Sequence, residues 1–413
     1  MRLALPFRAL APALACALVL TSAGPLALAQ SRRTPPTQPQ KKNQRPGQQP
    51  ETTGEEGQKE ELPPDLIRQK PAEDEIVKVT ANLVNVDAVV FHKKTRQLVG
   101  NLKQANFALF EDGVQVPITN FSTPEAKLNV AVVIEFSKLT EGLGLAQTGG
   151  WDYGTREVIA PAAYFMQEAV QKGDYLSVVA FDMRPTPLTD FTNDPSRVNQ
   201  VISILLRNQP AFRETNLFDA IKFTLVGGKG DAVVLEGGRD RTAEYAGLVS
   251  VQGRRRAVLL IASGIDTFSK INYDNARKIA QNAGIPIYVI GTGNMYYKRY
   301  EHLLGATDTL TGSPGRMTFQ QAANALSTFA KETGGAYFPV TFESEAPSAV
   351  ASINAMMRHQ YSLGYNPGER RDGKKHKIEV KVDVNADGVW DDKEYDINHR
   401  QFYVAPKPDA PKS

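Results

Sequence analysis

The chain has 413 residues, enough for two or three folded units, and 41% of them are hydrophobic, enough to fill a core. A net charge of +3 is too weak a field to argue for nucleic acid as a partner. Five histidines without metal-ligand spacing argue against zinc catalysis, and the lone cysteine, Cys16, sits in a segment that reads as a removable leader.

In chain order, Arg2 and Arg8 give a positive start, 9–20 is a short apolar run, and Ala27-Leu28-Ala29 supplies small residues before Gln30. This is the three-part layout of a secretory signal over 1–29, with an apolar run too short to span a bilayer. The alternative is an uncleaved anchor. A lipoprotein signal would want leucine where Ala13 stands, so lipidation is not expected. After cleavage the protein would be periplasmic or extracellular, without a membrane span. Residues 30–75 are rich in Pro, Gln, Lys and Glu with hardly an aromatic residue, and cannot offset their ordering entropy by burial. They read as a disordered linker.

Alternation over 77–91 predicts a half-buried strand, and 105–121 a hairpin around Glu111-Asp112-Gly113, together a small antiparallel β domain over 76–125. From 126 to 345 the pattern changes. Continuous apolar runs at 128–136, 176–181, 257–262 and 286–290, with a further strand at 336–340, alternate with helical spacing at 159–170, 197–206, 217–225, 273–283 and 319–333. Strands apolar on both faces between helices predict an α/β fold, a doubly wound and mostly parallel sheet. Residues 227–255 interrupt the rhythm and read as a surface insertion where function concentrates. The stretch 346–405 reads as a C-terminal β extension with strands at 359–365, 376–384 and 402–405, followed by a tail, 406–413.

Several stretches together carry a resemblance: NLVNVDAVVF, FALFEDGVQVPITNF, ETNLFDAI, RRAVLLIASGIDT, GIPIYVIGTG, FAKETGGAYFPV and QYSLGYNPGERRDGKKHKIEVKV. Over 76–405 the chain resembles the von Willebrand factor A-related domains of secreted bacterial proteins. The resemblance implies a Rossmann-like sheet flanked by antiparallel β elements at both ends. It also implies an adhesion rim at the carboxyl ends of the strands, where Asp-x-Ser-x-Ser, a threonine and a further aspartate hold a divalent cation. On this chain Glu135 stands for the first aspartate, Ser137 for the first serine, Leu139 for the second, Thr215 for the threonine and Ser263 for the last aspartate. Leu139 offers no ligand, Ser263 no charge, and Glu135 adds a methylene, so tight octahedral Mg²⁺ is not expected. Asp182, Asp219 and Asp266 could compensate from the same rim. The resemblance thus implies a protein-binding or adhesion module with a degenerate metal site, Leu139, Ser263 and Asp266 facing its partner.

A second motif lies in the tail. Asp383, Asn385, Asp387, Gly388, Val389, Asp391 and Glu394 fit the twelve-residue calcium loop D-x-[DN]-x-[DN]-G-x₅-E at every keyed position. It resembles the loops of EF-hand and dockerin-type proteins, although a strand rather than a helix precedes it. Two readings stand: a Ca²⁺ loop that pins the last hairpin, or an acidic turn built from the same turn-forming residues.

Enzyme signatures fail in detail. Ser263-Gly264 ends a buried strand, but Ile261 and Ile265 occupy the glycine positions that a nucleophile elbow needs. Neither Gly227-Gly228-Lys229-Gly230 nor Gly291-Thr292-Gly293 completes a phosphate loop or a dinucleotide fingerprint. The basic runs Arg254-Arg255-Arg256 and Lys374-Lys375-His376-Lys377 read as solvated strand edges. The expectation is a secreted, non-enzymatic interaction module for a protein or cell-envelope polymer, its contacts made by the rim and the insertion. The alternatives are a structural envelope protein with a calcium-stabilised hairpin, and a serine hydrolase using Ser263.

Overall fold

A computed structural model describes residues 83–138, 153–208, 210–230, 244–251, 255–310, 312–368 and 372–405. The leader, the linker, the tail 406–413 and Leu139 lie outside the described residues. The chain begins with β1 (Val84–His92), β2 (Phe107–Glu111), β3 (Val114–Val116), β4 (Asn120–Ser122) and β5 (Leu128–Glu135). It continues through α1 (Tyr153–Gln171), β6 (Tyr175–Phe181), β7 (Pro185–Thr192), α2 (Pro195–Arg207), α3 (Leu217–Val226), β8 (Gly228–Lys229), β9 (Glu244–Tyr245) and β10 (Arg255–Ala262). Then come α4 (Tyr273–Ala283), β11 (Ile287–Gly291), α5 (Gly293–Tyr300), α6 (Arg316–Thr333), β12 (Tyr337–Pro339) and α7 (Ala346–Arg358). Four strands close the chain: β13 (Tyr361–Tyr365), β14 (Lys375–Val382), β15 (Tyr395–His399) and β16 (Phe402–Val404).

The central sheet has six strands in the order β12-β11-β10-β5-β6-β7. All neighbours run parallel except β7, which is antiparallel to β6. Strand order therefore reverses between β5 and β10, the switch point of a doubly wound fold, where such sheets place their sites at the carboxyl ends. The fold class is the one expected. Along β5, Val130, Val132 and Ile134 pack under α1, α2 and α7, while Ala131 and Val133 pack under α3, α4 and α6. Covering both faces is what requires the uninterrupted apolar run.

Local signals set the helix ends. Asp194 accepts from the Ser196 amide ahead of Pro195 at the start of α2, and Asn272 accepts from the Asn275 amide at the start of α4. The edge strand β7 has no counterpart among the expected elements, and it holds Pro185 and Pro187. Proline is tolerated at an edge, where no further ladder needs its missing N–H. Helix α7 lies inside the stretch expected to be β. Its Ala346, Ala349, Val350, Ile353 and Met357 form a helical stripe buried in the α/β core.

The β segments at the two ends of the chain pair with each other. One sheet runs β15-β1-β13-β4 and the other β16-β14-β2-β3. Val86 and Tyr361 from the first sheet share a core with Leu109 and Val380 from the second. Each piece alone exposes an apolar face; only their pairing buries it.

Each basic run holds one residue that is not solvated, although Lys374, Lys375 and Lys377 are exposed as expected. Arg255 is 4% exposed and donates to the carbonyls of Pro124, Ala126, Met357 and Gln360, joining the chain segments between core and sandwich. His376 is buried as well. The guanidinium replaces water for four carbonyls at once, which draws it inward. The described flanks of the insertion are core too: β8 pairs with β9, and Tyr245 stacks on Phe223 with its hydroxyl 2.8 Å from Ser177 Oγ. Gly227 and Gly247 lie back to back at φ 87° and 74°, where a Cβ on either would meet backbone at 2.4 Å.

Candidate functional site

The carboxyl ends of β5 and β10 bring the expected rim residues together. Glu135 is the last residue of β5, Ser137 follows it, and Ser263 follows β10. Ser137 Oγ donates to Glu135 Oε1 at 2.9 Å. Glu135 Oε2 accepts from the Ser263 amide at 2.7 Å and from Ser263 Oγ at 2.8 Å. The extra methylene thus carries the carboxylate across to the position where the resemblance expects a second aspartate. Thr215 is fully buried, and its hydroxyl donates to the Ile265 carbonyl at 2.7 Å. Its own amide is held by Thr267 Oγ1. Of the resemblance's five ligand positions, the four described are thus tied to one another or to backbone.

The three rim aspartates have other duties. Asp219 Oδ2 accepts from the Lys270 amide at 2.9 Å and its Oδ1 from the Ile271 amide, fastening the loop after β10 to α3. Asp266 accepts from Ser269 Oγ and from the Phe218 amide, and burial, assisted by the charge of Asp219, holds its carboxyl above the usual range. Burial likewise raises Asp182, whose backbone carbonyl accepts from the Asn216 amide. Ser263 is 2% exposed, and its hydroxyl also accepts from the Ile265 amide at 3.2 Å. The hydroxyl is engaged by its carboxylate and amide neighbours.

Sequence reading missed what surrounds this network. Phe212, Phe268, Met317 and Phe342 are exposed, and all lie in segments at the carboxyl edge of the sheet. Beside them a cleft of about 410 Å³ opens between α4 and α6, lined by Phe218, Gly264, Asp266, Tyr273, Gln321 and Asn324. Gly264, at φ 87°, lets α6 approach: a Cβ there would meet the Ala322 carbonyl at 2.8 Å. Phe212, Phe268 and Phe342 lie in loops, which carry no periodicity to mark them. The insertion leaves α3 and enters β10 at the amino ends of the parallel strands, opposite the rim.

The calcium-type loop is part of the sandwich, between β14 and β15. Asp383 Oδ2 accepts from the Gly388 amide at 2.7 Å and Asp387 Oδ1 from the Val389 amide at 2.8 Å. Asn385 Oδ1 accepts from the Asp387 amide, and Asp391 Oδ2 from the Val384 amide at 2.8 Å. Gly388 takes φ 86°, as its place in the motif requires. Glu394 is exposed. The carboxylates do not converge: among the described residues the one group of three His or acidic ligands within 4.8 Å of one another is Glu111, Asp112 and His376.

No family model and no curated protein matches this sequence. Solved structures with similarity include proximal thread matrix protein 1 of the mussel byssus, at 11% identity over 60% of this chain and 50% of that one, TM-score 0.37. The von Willebrand factor domain of the type V pili tip protein Mfa5 from Porphyromonas gingivalis is 14% identical over 57% of this chain and 95% of its own, TM-score 0.35. The PilB minor pilin of Streptococcus sanguinis is 13% identical over 59% and 63%, TM-score 0.38. The chain spans about half the length of the mussel protein. At such identities the likeness concerns fold alone, and the assignment of fold here rests on the strand order.

Proposed function

We propose that the chain is a secreted, non-enzymatic interaction module whose rim binds a protein or cell-envelope polymer without a metal ion. The observation that carries this reading is the closed Ser137–Glu135–Ser263 network at the sheet edge whose segments also hold exposed Phe212, Phe268, Met317 and Phe342. A rim whose carboxylate is held by its own hydroxyls has no need of a bridging cation, and apolar side chains at the same edge favour contact with a surface over contact with water. The leader layout of 1–29 supports export, and among the described residues no helix is long and apolar enough to cross a membrane. Capture of envelope and culture fractions on immobilised protein tests the reading. Phe212→Asp with Phe268→Asp should abolish capture, deletion of 231–243 should leave it intact, and EDTA should not elute the partner. Elution by EDTA would return the rim to metal-dependent adhesion.

We propose as a second reading that 383–394 binds Ca²⁺, favoured by the left-handed Gly388 and by the buried acceptor Asp383. Binding there would draw Glu394 into the loop to close the site with both oxygens, and would pin the hairpin between β14 and β15. Thermal unfolding of wild type and of Asp387→Ala, Glu394→Ala with and without Ca²⁺ tests it; identical midpoints throughout leave an acidic turn.

A further inference from the structure

We propose that Glu111, Asp112 and His376 bind a single divalent ion of the zinc class, with Asp372 orienting the histidine. Glu111 and Asp112 belong to the turn joining β2 to β3, and His376 is the second residue of β14, which pairs with β2. Glu111 is 5% exposed and His376 7%. His376 Nδ1 lies 2.7 Å from Asp112 Oδ2 and 3.8 Å from Glu111 Oε1, while Nε2 lies 3.2 Å from Asp372 Oδ1. A carboxylate on the far nitrogen is how proteins fix the tautomer and ring orientation of a metal-ligating histidine.

The spacing suits a small ion. Tetrahedral bonds of about 2.0 Å put ligand atoms roughly 3.3 Å apart. The Nδ1–Glu111 distance is close to that edge, and Asp112, whose side chain is 49% exposed, need withdraw only a little. Burial lowers the imidazole pKa, but Asp112 and Asp372 at its two nitrogens outweigh that and raise it, which favours the doubly protonated ring. The ion takes the place of the Nδ1 proton, which leaves to solvent, so the net negative charge of the cluster falls by one. An imidazole nitrogen with carboxylate oxygens suits Zn²⁺ rather than the all-oxygen preference of Ca²⁺.

A separate observation points to the same place. The Tyr365 hydroxyl is fully buried without a hydrogen bond of good geometry and faces Glu111: burial, a side-chain interaction with that carboxylate and its charge together raise the Tyr365 pKa. Beside an occupied site it would donate to a Glu111 oxygen or to an ion-bound water, satisfying a group that is costly to leave buried without a partner. Occupied, the site would clamp the turn of the N-terminal hairpin to a strand 264 residues away. It stands at the opposite end of β14 from the 383–394 loop, so the two sites can be separated by mutation.

The experiment is a calorimetric titration of tag-free, EDTA-treated full chain with ZnCl₂, with the midpoint of thermal unfolding followed in parallel. One ion per chain is expected. Affinity should fall about 10- to 100-fold in Asp372→Asn, the loss typical of removing an orienting partner. It should fall further in His376→Ala and not at all in Asp387→Ala. Zn²⁺ should raise the midpoint of wild type and of Asp387→Ala but not of His376→Ala. Should His376→Ala fail to fold, Glu111→Gln, which keeps the side-chain volume, serves in its place. No saturable binding to wild type overturns the proposal, as does wild-type affinity in a folded His376 or Glu111 variant, or loss of binding in Asp387→Ala.

Discussion

The rim of the α/β core and the Glu111–Asp112–His376 cluster of the sandwich both hold carboxylates, and they differ in what faces those carboxylates. In the rim, Glu135 is met by two hydroxyls and an amide, none of which gives up its proton near neutral pH. In the sandwich, three carboxylates converge on one imidazole, a group that releases a proton readily and becomes a ligand when it does. Counting acidic residues would have ranked the rim, with Glu135, Asp182, Asp219 and Asp266, first. The donor side decides instead: a carboxylate satisfied by fixed N–H and O–H groups is scaffold, whereas one facing an exchangeable proton is a place for a cation.

The largest expected effect comes from separating the two regions. Arg255→Met leaves four carbonyls without their donor, and should cost on the order of 3 kcal/mol in urea unfolding. If core and sandwich are independently stable, the transition should also split in two. A somewhat smaller effect would sharpen the contrast at the rim. Glu135→Asp, Leu139→Ser and Ser263→Asp together restore the ligand set that the resemblance implies. With Mg²⁺ at about 100 times its dissociation constant the triple variant should gain ~2.7 kcal/mol, a rise of a few degrees in midpoint, while wild type gains nothing. A gain in wild type would mean that Glu135 releases Ser137 and Ser263 for the ion.

The smallest effect concerns a carboxylate settled as Glu135 is. Burial alone would raise Glu332, but the donors Arg277 and Gln281 outweigh it and hold its pKa below the usual value. A depressed carboxylate contributes fully above its unfolded pKa, about 4.3, and loses its contribution as pH falls through the folded value. Stability between α4 and α6 should therefore drop in that acid window by less than about 1 kcal/mol. Glu332→Gln should remove that part of the slope in an acid titration followed by near-UV circular dichroism.

Much of the α/β half was legible. Runs such as LNVAVVIE and RRAVLLIA can only be strands covered on both faces, and a cap such as Asn272 or a terminal glycine such as Gly284 is a local event readable from a few residues. The altered rim was legible too, since Glu135 and Ser263 depart from the expected ligands in type. That they would bond to each other was not, because a side chain's reach matters only once β5 and β10 lie side by side.

What the sequence determined by itself was therefore periodicity, caps and residue type: the strand–helix alternation, the apolar runs and the loss of the aspartate ligands. The tertiary structure decided everything that depends on distance between segments far apart in the chain. It paired the first strands with the last, turned Arg255 from a solvated edge into a buried tie, and set Asp112 beside His376 across 264 positions. Glu111-Asp112 read as a turn and His376 as an exposed edge because composition and spacing carry no information about which edge meets which. That choice belongs to the burial of apolar faces between the two sheets, a non-local energy that no window of sequence contains.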